Sequence, residues 1–473
     1  MSNKHSRTGL AWLFGSAFFQ YLIKFLALVV TSRYLAPHEF GVAATAIIVV
    51  AAISLLSTIG VGPALVQKKL LNHTDVSTAF FFLYCSGIFL ATVFMLISGS
   101  IVDFFRIEEY HFEFKFLSLA ILVAVFSSLP ISLLQRDEKF RLMAKIEIVS
   151  AAISVLIFQI PLAMLGFGAL SIIVGGVVSS LTVLYFSLRH SSGYFGSVKL
   201  SLVTLKSLSA LLRFGFGHSL SKVFNFVGGQ GDNLVVAKML GPELMGYYNR
   251  SYQLITLPVA LLGTVIDKFY FPILSKVQDD NEKLKKGLDK VVLVQSIFVS
   301  PVSFFLIIFA GEVVTLLLGE GWEVSVMPLQ ILASVLFFRL GYKIFNTLII
   351  AKGVVYKSAY YHFLYGLMIV SFGFIGAQFS INHVAVGVSL AIVIYYFLIA
   401  RLALLVVGFE LSGYIVSNAR HFAWVFLSFL ILAATIFWDV SLGIRLAAFL
   451  ALMCFYIFFY RFELVWLKND FKY

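Results

Sequence analysis

Four basic side chains stand at helical spacing inside apolar stretches of this chain, a setting in which cations bind anions. Lys24 follows Ser16 and Gln20 at steps of four. His218, Lys222, Asn225 and Asp232 recur at offsets of four, seven and fourteen. Asn249, Gln253 and Thr256 form a third series, and Arg339, Lys343 and Asn346 a fourth. Each series lies on one face of a helix. A charge at the centre of a membrane helix costs roughly 2.5–3.5 kcal/mol, so these faces must meet water or one another. Asp232 is the one carboxylate that the sequence places well inside an apolar stretch, set against four cations. The surplus of positive charge points to a cavity for an anionic ligand, because ammonium and guanidinium groups hold phosphate. The expected substrate-binding set is therefore Lys24, Lys222, Arg339 and Lys343. Gln20, Asn225, Gln230, Asn233, Asn249, Gln253 and Asn346 are the expected polar lining. Asp232 also has a packing reading, in which it pairs with Lys24 or Lys222 and locks the seventh apolar segment to the first. His218, His362 and Gln159 read as hydrogen-bonded packing residues. Arg250, Asp267 and Arg445 lie near segment ends and are expected to snorkel to the interface.

The elements that must hold these residues are membrane helices. Hydrophobic types make up 60% of the 473 residues and charged types 12%, far from soluble proportions. Apolar runs of about 20 residues match the thickness of a bilayer core. Fourteen spans are expected, near 10–32, 40–60, 77–98, 115–134, 147–165, 168–188, 214–236, 246–267, 290–310, 327–350, 358–378, 384–404, 421–438 and 441–460. The net charge of +12 sits between these runs and reads as topology, with no nucleic acid partner. One set of loops is rich in lysine and arginine. The alternate set holds only Arg33, Arg106, Lys115 and Lys238, beside acidic clusters such as Asp103, Glu108, Glu109 and Glu113. The basic set marks the cytoplasmic side, so both termini are expected there. Cys85 and Cys454 lie inside apolar runs and imply neither a disulfide nor a metal site. Pro258 and Pro301, and the glycines Gly228, Gly229 and Gly231, are expected to interrupt their helices.

A repeat organises the spans. Arg33-Tyr-Leu-Ala-Pro-His-Glu-Phe-Gly41 closes the first, and Lys238-Met-Leu-Gly-Pro-Glu-Leu-Met-Gly246 closes the seventh. In both, a basic residue, Leu, a small residue, Pro and Gly keep the same spacing. The following span exits at Gly62-Pro63 in one copy and at Phe271-Pro272, with Lys276, in the other. Six intervening helices give the copies the same orientation, as in transporters built from parallel repeats. The expected fold is an all-α polytopic membrane protein, two six-helix lobes plus two extra C-terminal helices. Its expected parts are 1–190, a cytoplasmic connector at 191–213, a second lobe at 214–405, and 406–473. The connector and the Lys268 to Lys290 segment are expected to lie at the surface as charged or amphipathic helices. No phosphate-binding loop, HExxH or nucleophile elbow is present. The outer loops are too short to form a catalytic domain, so no enzyme is expected.

From Gln230-Gly-Asp232-Asn233 through Leu240-Gly241 and Gly246-Tyr247-Tyr248-Asn249 to Pro258, the chain resembles polysaccharide exporters. These are the Wzx-type flippases of the multidrug/oligosaccharidyl-lipid/polysaccharide superfamily, in the lipopolysaccharide and colanic-acid branch. The resemblance implies lobes around a central cavity that works by alternating access in a bacterial inner membrane. It implies an undecaprenyl-diphosphate-linked oligosaccharide as cargo, moved from the cytoplasmic to the periplasmic leaflet for O-antigen, capsule or exopolysaccharide. Membrane lipids and polysaccharide assembly proteins are the implied partners. No cofactor is implied beyond coupling to H+ or Na+, for which Asp232 is the candidate. Two other readings stand beside it. One is a cation-coupled multidrug exporter of the same superfamily, which the positive balance disfavours. The other is a polysaccharide polymerase or ligase, which the short loops disfavour.

Overall fold

The structure is a computed structural model that describes residues 2–58, 60–196, 198–265, 270, 274, 277–437 and 441–470. It is helical, with no strand among the described residues. Each expected span falls on a helix. In the first part of the chain these are α1 (Ser2–Thr31), α2 (Pro37–Thr58), α4 (His73–Phe105), α5 (His111–Arg136), α6 (Phe140–Ala152) running on to α7 (Ile160–Met164), and α8 (Ala169–His190). The short helices α3 (Val61–Gln67) and α9 (Ser192–Phe195) lie between them. Then follow α10 (Leu205–Met239), α11 (Pro242–Val265), α12 (Asn281–Ile308), α13 (Ala310–Leu318), α14 (Val326–Ser334), α15 (Leu336–Ala351), α16 (Val355–Ala377), α17 (Ile381–Val406), α18 (Leu411–Ser417), α19 (Ala419–Phe437) and α20 (Leu442–Asp470). Among the described residues, nine helices are long and apolar enough to cross a membrane, and two bent pairs raise this to eleven. The other three expected spans lie on α1, α10 and α11, which carry three of the four polar stripes.

The breaks fall elsewhere than the prolines and glycines suggested. α10 runs through Gly228, Gly229 and Gly231, α11 through Pro258, and α12 through Pro301. Glycine keeps its amide in the helical ladder, and the one bond that a proline gives up is tolerated in a membrane helix where neighbouring groups re-satisfy the freed carbonyl. The tenth span is instead a bent pair, turned by 46° between Glu323–Ser334 and α15. The thirteenth is preceded by a 75° turn between α18 and α19. The fifth contains a π-helical stretch, Ile153–Gln159, where Ser154 Oγ donates to the Gly175 carbonyl at 2.7 Å. The expected surface helices are mostly extensions of spans. α10 starts at Leu205 behind Thr204, whose side chain accepts from the Ser207 amide, and α12 starts at Asn281 behind an Asp280 cap.

The chain packs as two compact units. One is Met1–Asn249 with Leu317–Gly319, and the other is Arg250–Leu316 with Glu320–Tyr473. The division falls inside α11, rather than at the expected 191–213 connector. The cause is local. In the first unit, the N-terminal turns of α2 and α11 cross so closely that a Cβ on Gly41 would overlap the Pro242 carbonyl, and one on Gly246 would overlap the Pro37 carbonyl. The two copies of the repeat motif thus pack on each other, proline of one against glycine of the other. α10 also packs on α2, α3 and α4. The exit of the second copy (Phe271, Pro272 and Lys276) and the side chain of His218 lie outside the described residues.

Several of the basic residues are engaged at helix ends. In the first unit, Lys68 pairs with buried Asp75 at 2.6 Å, and Ser207 Oγ donates to the same carboxylate at 2.7 Å. Arg136 donates to the carbonyls of Leu65 and Lys69, closing the C-terminus of α3. Tyr194 donates to Asp137 at 2.5 Å. In the second unit, Lys352 donates to the Gln278 carbonyl and to Asn281. Residues assigned to one side of the membrane are therefore neighbours within each unit.

Candidate functional site

Two polar sites emerge, one in each unit. The first lies where α10 turns into α11 through Gly241, at φ 87°. A left-handed backbone there favours glycine. Asp232 and Tyr248 stand eight residues either side of Leu240, so the turn brings them face to face. Tyr248 donates its hydroxyl to Asp232 Oδ2 at 2.9 Å. The Asn233 amide donates to Oδ1 at 2.9 Å, and Asn233 Nδ2 donates to Gln230 Oε1 at 3.0 Å. Asn249 Nδ2 reaches Asn233 Oδ1 at 3.5 Å. Asp232 is 1% exposed, and Asn233 and Tyr248 are 0% exposed. Four expected polar residues, Gln230, Asp232, Asn233 and Asn249, are thus brought together. Neither Lys24 nor Lys222 makes an ion pair among the described residues, and both are exposed. The packing role of Asp232 therefore joins α10 to α11 through a phenol, in place of the expected lock to the first span. The sequence reading missed Tyr248. The even spacing about Leu240-Gly241 was the signal available.

The second site is on α15. Arg339 is 8% exposed. One guanidinium nitrogen donates to the Tyr252 hydroxyl, and the guanidinium carbon lies 4.2 Å from the Tyr252 ring centroid. Its other terminal nitrogen, Nη1, is buried and meets no acceptor among the described residues. Aromatic rings close around this region. Tyr342 lies 5.5 Å from Tyr365 and 5.2 Å from Tyr395, and Tyr365 stacks on Tyr395 at 4.3 Å. The cation is thus held by the ring face and the hydroxyl of Tyr252, which leaves donor capacity unused. Lys343 follows one turn later, half-buried, with Nζ 3.1 Å from where a Cβ on Gly263 would stand. Gly263 of α11 leaves room for that ammonium group. Next on the face is Asn346, which accepts from Ser358 at 2.5 Å and ties α15 to α16.

The remaining expected residues are dispersed within their own units. Gln20 donates to Glu147 at 2.9 Å. Asn225 is exposed. Gln253 accepts from Arg250 at 2.6 Å. Arg250 is a correction, because it is 4% exposed and lies beside Trp322 instead of reaching the interface. Its place one turn before Gln253 was readable, but its nearness to the helix start suggested an exposed end. Arg445 is likewise engaged, pairing with Glu312 at 2.7 Å. Asp232 is also not the sole carboxylate on an apolar span. Asp75, Glu147 and Asp289 all lie on helices long and apolar enough to cross. These helices extend beyond their apolar runs, and Asp75 stands in the first turn of α4. His362 accepts or donates at the Tyr395 hydroxyl, 3.0 Å away, in keeping with a packing role. Among the described residues, no group of three or more His, Cys, Asp or Glu could hold a metal ion.

A helical chain with this many apolar spans and buried polar clusters in both units is a polytopic membrane protein with a transporter fold. The chain belongs to a family of polysaccharide biosynthesis proteins, matched over residues 29–327. It is 27% identical over 366 residues to the lipopolysaccharide biosynthesis protein WzxC of Escherichia coli (strain K12), covering 76% of this chain and 72% of that protein. It is 25% identical over 370 residues to the teichuronic acid biosynthesis protein TuaB of Bacillus subtilis (strain 168), covering 77% and 75%. Its fold is similar to that of the lipid II flippase MurJ in an inward closed conformation. The TM-score is 0.75 at 16% identity, over 96% of this chain and 99% of that one.

Proposed function

We propose that this chain is a flippase that carries a diphosphate-linked oligosaccharide lipid across the bacterial inner membrane by alternating access. The observation that carries the reading is Arg339, a buried cation in an apolar helix with a guanidinium N–H that meets no acceptor among the described residues. A buried donor without a partner costs roughly 1–3 kcal/mol, more when charged. A phosphate oxygen of the cargo would satisfy it, and Lys343 adds a second cation one turn away. Lys24 and Lys222 of the first unit, exposed and without ion pairs among the described residues, are further candidate cations for a phosphate. The chain performs no bond-making step in this reading. Cargo moves from the cytoplasmic to the periplasmic leaflet, both termini stay cytoplasmic, and H+ or Na+ drives the cycle with Asp232 as the coupling group.

The test replaces Arg339 by Gln and Lys343 by Gln in cells that need this protein for surface polysaccharide. The expected result is loss of at least about 90% of export for Arg339→Gln, a factor of ten or 1.4 kcal/mol. Lipid-linked precursor should accumulate and the protein level in the membrane should stay unchanged. Wild-type export in both variants would sink the proposal.

A further inference from the structure

Away from both polar sites, the second unit holds a cavity of about 570 Å³ between the first turns of α12 and the α18–α19 junction. Lys286, Lys290 and Arg420 line it, together with Asp289, Asn418 and His421. Asn418 and His421 are 4% and 1% exposed, so the floor is fixed by buried polar groups. His421 Nδ1 lies 2.7 Å from the Tyr460 hydroxyl, and Asn418 Nδ2 donates to the Tyr414 carbonyl at 3.1 Å. The three basic side chains stand at the exposed rim. With one carboxylate among them, the lining keeps a surplus of two positive charges. Asp289 adds a second requirement. Its Oδ1 is buried and accepts no hydrogen bond among the described residues. Asn418 engages the same carboxyl, so an occupant with an anion for the rim and a hydroxyl donor for the remaining oxygen would complete the set.

We propose that this cavity binds a phosphate that carries a hydroxylated headgroup, as in a glycerophosphate. The rim cations take the phosphate oxygens, and Asp289 accepts from the headgroup hydroxyl. A basic pocket among helix ends on the lysine-rich side of a membrane protein is suited to an anionic lipid headgroup. Lys286, Lys290 and Arg420 belong to that lysine-rich side in the loop-charge pattern. The site lies on different residues from the transport reading and does not depend on it.

The full chain, purified in a neutral detergent, is titrated with phosphatidylglycerol, phosphatidylcholine or glycerol 3-phosphate. Lipid adducts are counted by native mass spectrometry and thermal unfolding is followed in parallel. Phosphatidylglycerol is expected to bind and to raise the unfolding midpoint, while phosphatidylcholine does neither. Each of Lys286→Gln, Lys290→Gln and Arg420→Gln should weaken binding by about fivefold, and the triple variant should lose it. Asp289→Ala should reduce the preference for phosphatidylglycerol over phosphatidic acid. Displacement by millimolar glycerol 3-phosphate would place the source of the ligand in solution; its failure to displace would place it in the bilayer. Equal adducts on the wild type and the triple variant, or no preference over phosphatidylcholine, would overturn the site. Should the triple variant misfold, salt decides on the wild type. Binding must fall between 50 and 500 mM salt, and insensitivity rejects the cationic rim. Because neither readout measures transport, failure of lipid binding leaves the transport proposal standing.

Discussion

At the scale of single residues, burial without a matching charge separates functional side chains from structural ones. Arg339 has aromatic faces and one phenol, whereas Asp75 has Lys68, Ser207 and the Asn72 amide. The second arrangement is closed and serves packing. Asp232 stands between the two, since Tyr248 and Asn233 both donate to it while it lies in the expected outer half of a span. Tyr248→Phe removes one of these donors from a buried carboxylate. Its expected cost is about 1–3 kcal/mol, read as a lower thermal midpoint of the detergent-solubilised protein. An unchanged midpoint would mean that the phenol bond contributes nothing. Asp137 offers a pH test outside the spans. Burial pushes its carboxyl up, but hydrogen bonds from Tyr194 and Lys139 outweigh this and hold it below the usual carboxylate value. A depressed value in the folded state stabilises above the unfolded value near 4 and is lost as pH falls further. The stability gap between wild type and Asp137→Asn, about 1 kcal/mol at pH 7, should therefore narrow progressively as pH falls below about 4, as thermal unfolding across that range would show. The polar residues around Asp232 were legible because amides and carboxylates inside an apolar run need one another. Arg250 was not, since distance from a helix end in sequence says little about what packs over it.

At the scale of elements, the crossing of α2 and α11 sets how closely two helices can come. Small residues let backbones approach, and here each glycine faces the other helix's proline carbonyl. Gly41→Ala forces that carbonyl to move or the helices to part. The expected loss is about 1–3 kcal/mol of stability. Gly176→Ala on α8, where an added Cβ meets nothing within 4 Å, serves as control and should leave the midpoint in place. Equal midpoints for the two variants would show that the crossing opens at no cost. The spacing of the repeat was readable in the sequence, but that its copies meet was not, because a motif carries no record of its contacts. The bend before α15 was equally hidden. Val335 at the break is neither proline nor glycine, so packing around α14 and α15, and not local propensity, turns the helix.

At the scale of the whole molecule, the helical spans were legible because a bilayer demands apolar runs of nearly fixed length, and nine to eleven of the fourteen expected meet that length and apolarity among the described residues. Within each unit, basic residues such as Lys68, Arg136 and Lys352 are engaged at helix ends. The division inside α11 was not legible, because the boundary depends on contacts and α11 is continuous through it. Exposed apolar side chains such as Phe89, Leu96, Phe426 and Phe458 lie on spans, as lipid-facing surface should. Cys85 on α4 and Cys454 on α20 are exposed on that same surface. A water-soluble maleimide should leave both unmodified in intact membranes and label both after denaturation. Labelling in intact membranes would show that these faces meet water.

The meeting of Pro37 with Gly246 and of Pro242 with Gly41 is a handshake between like parts. Contacts of that reciprocal form are what two identical chains make across a dyad. An injury to either hand should then be felt alike, so alanine at 41 and alanine at 246 should produce matching defects. Once one grip is broken, the other has less to lose, and the double variant should fall short of the sum of the two.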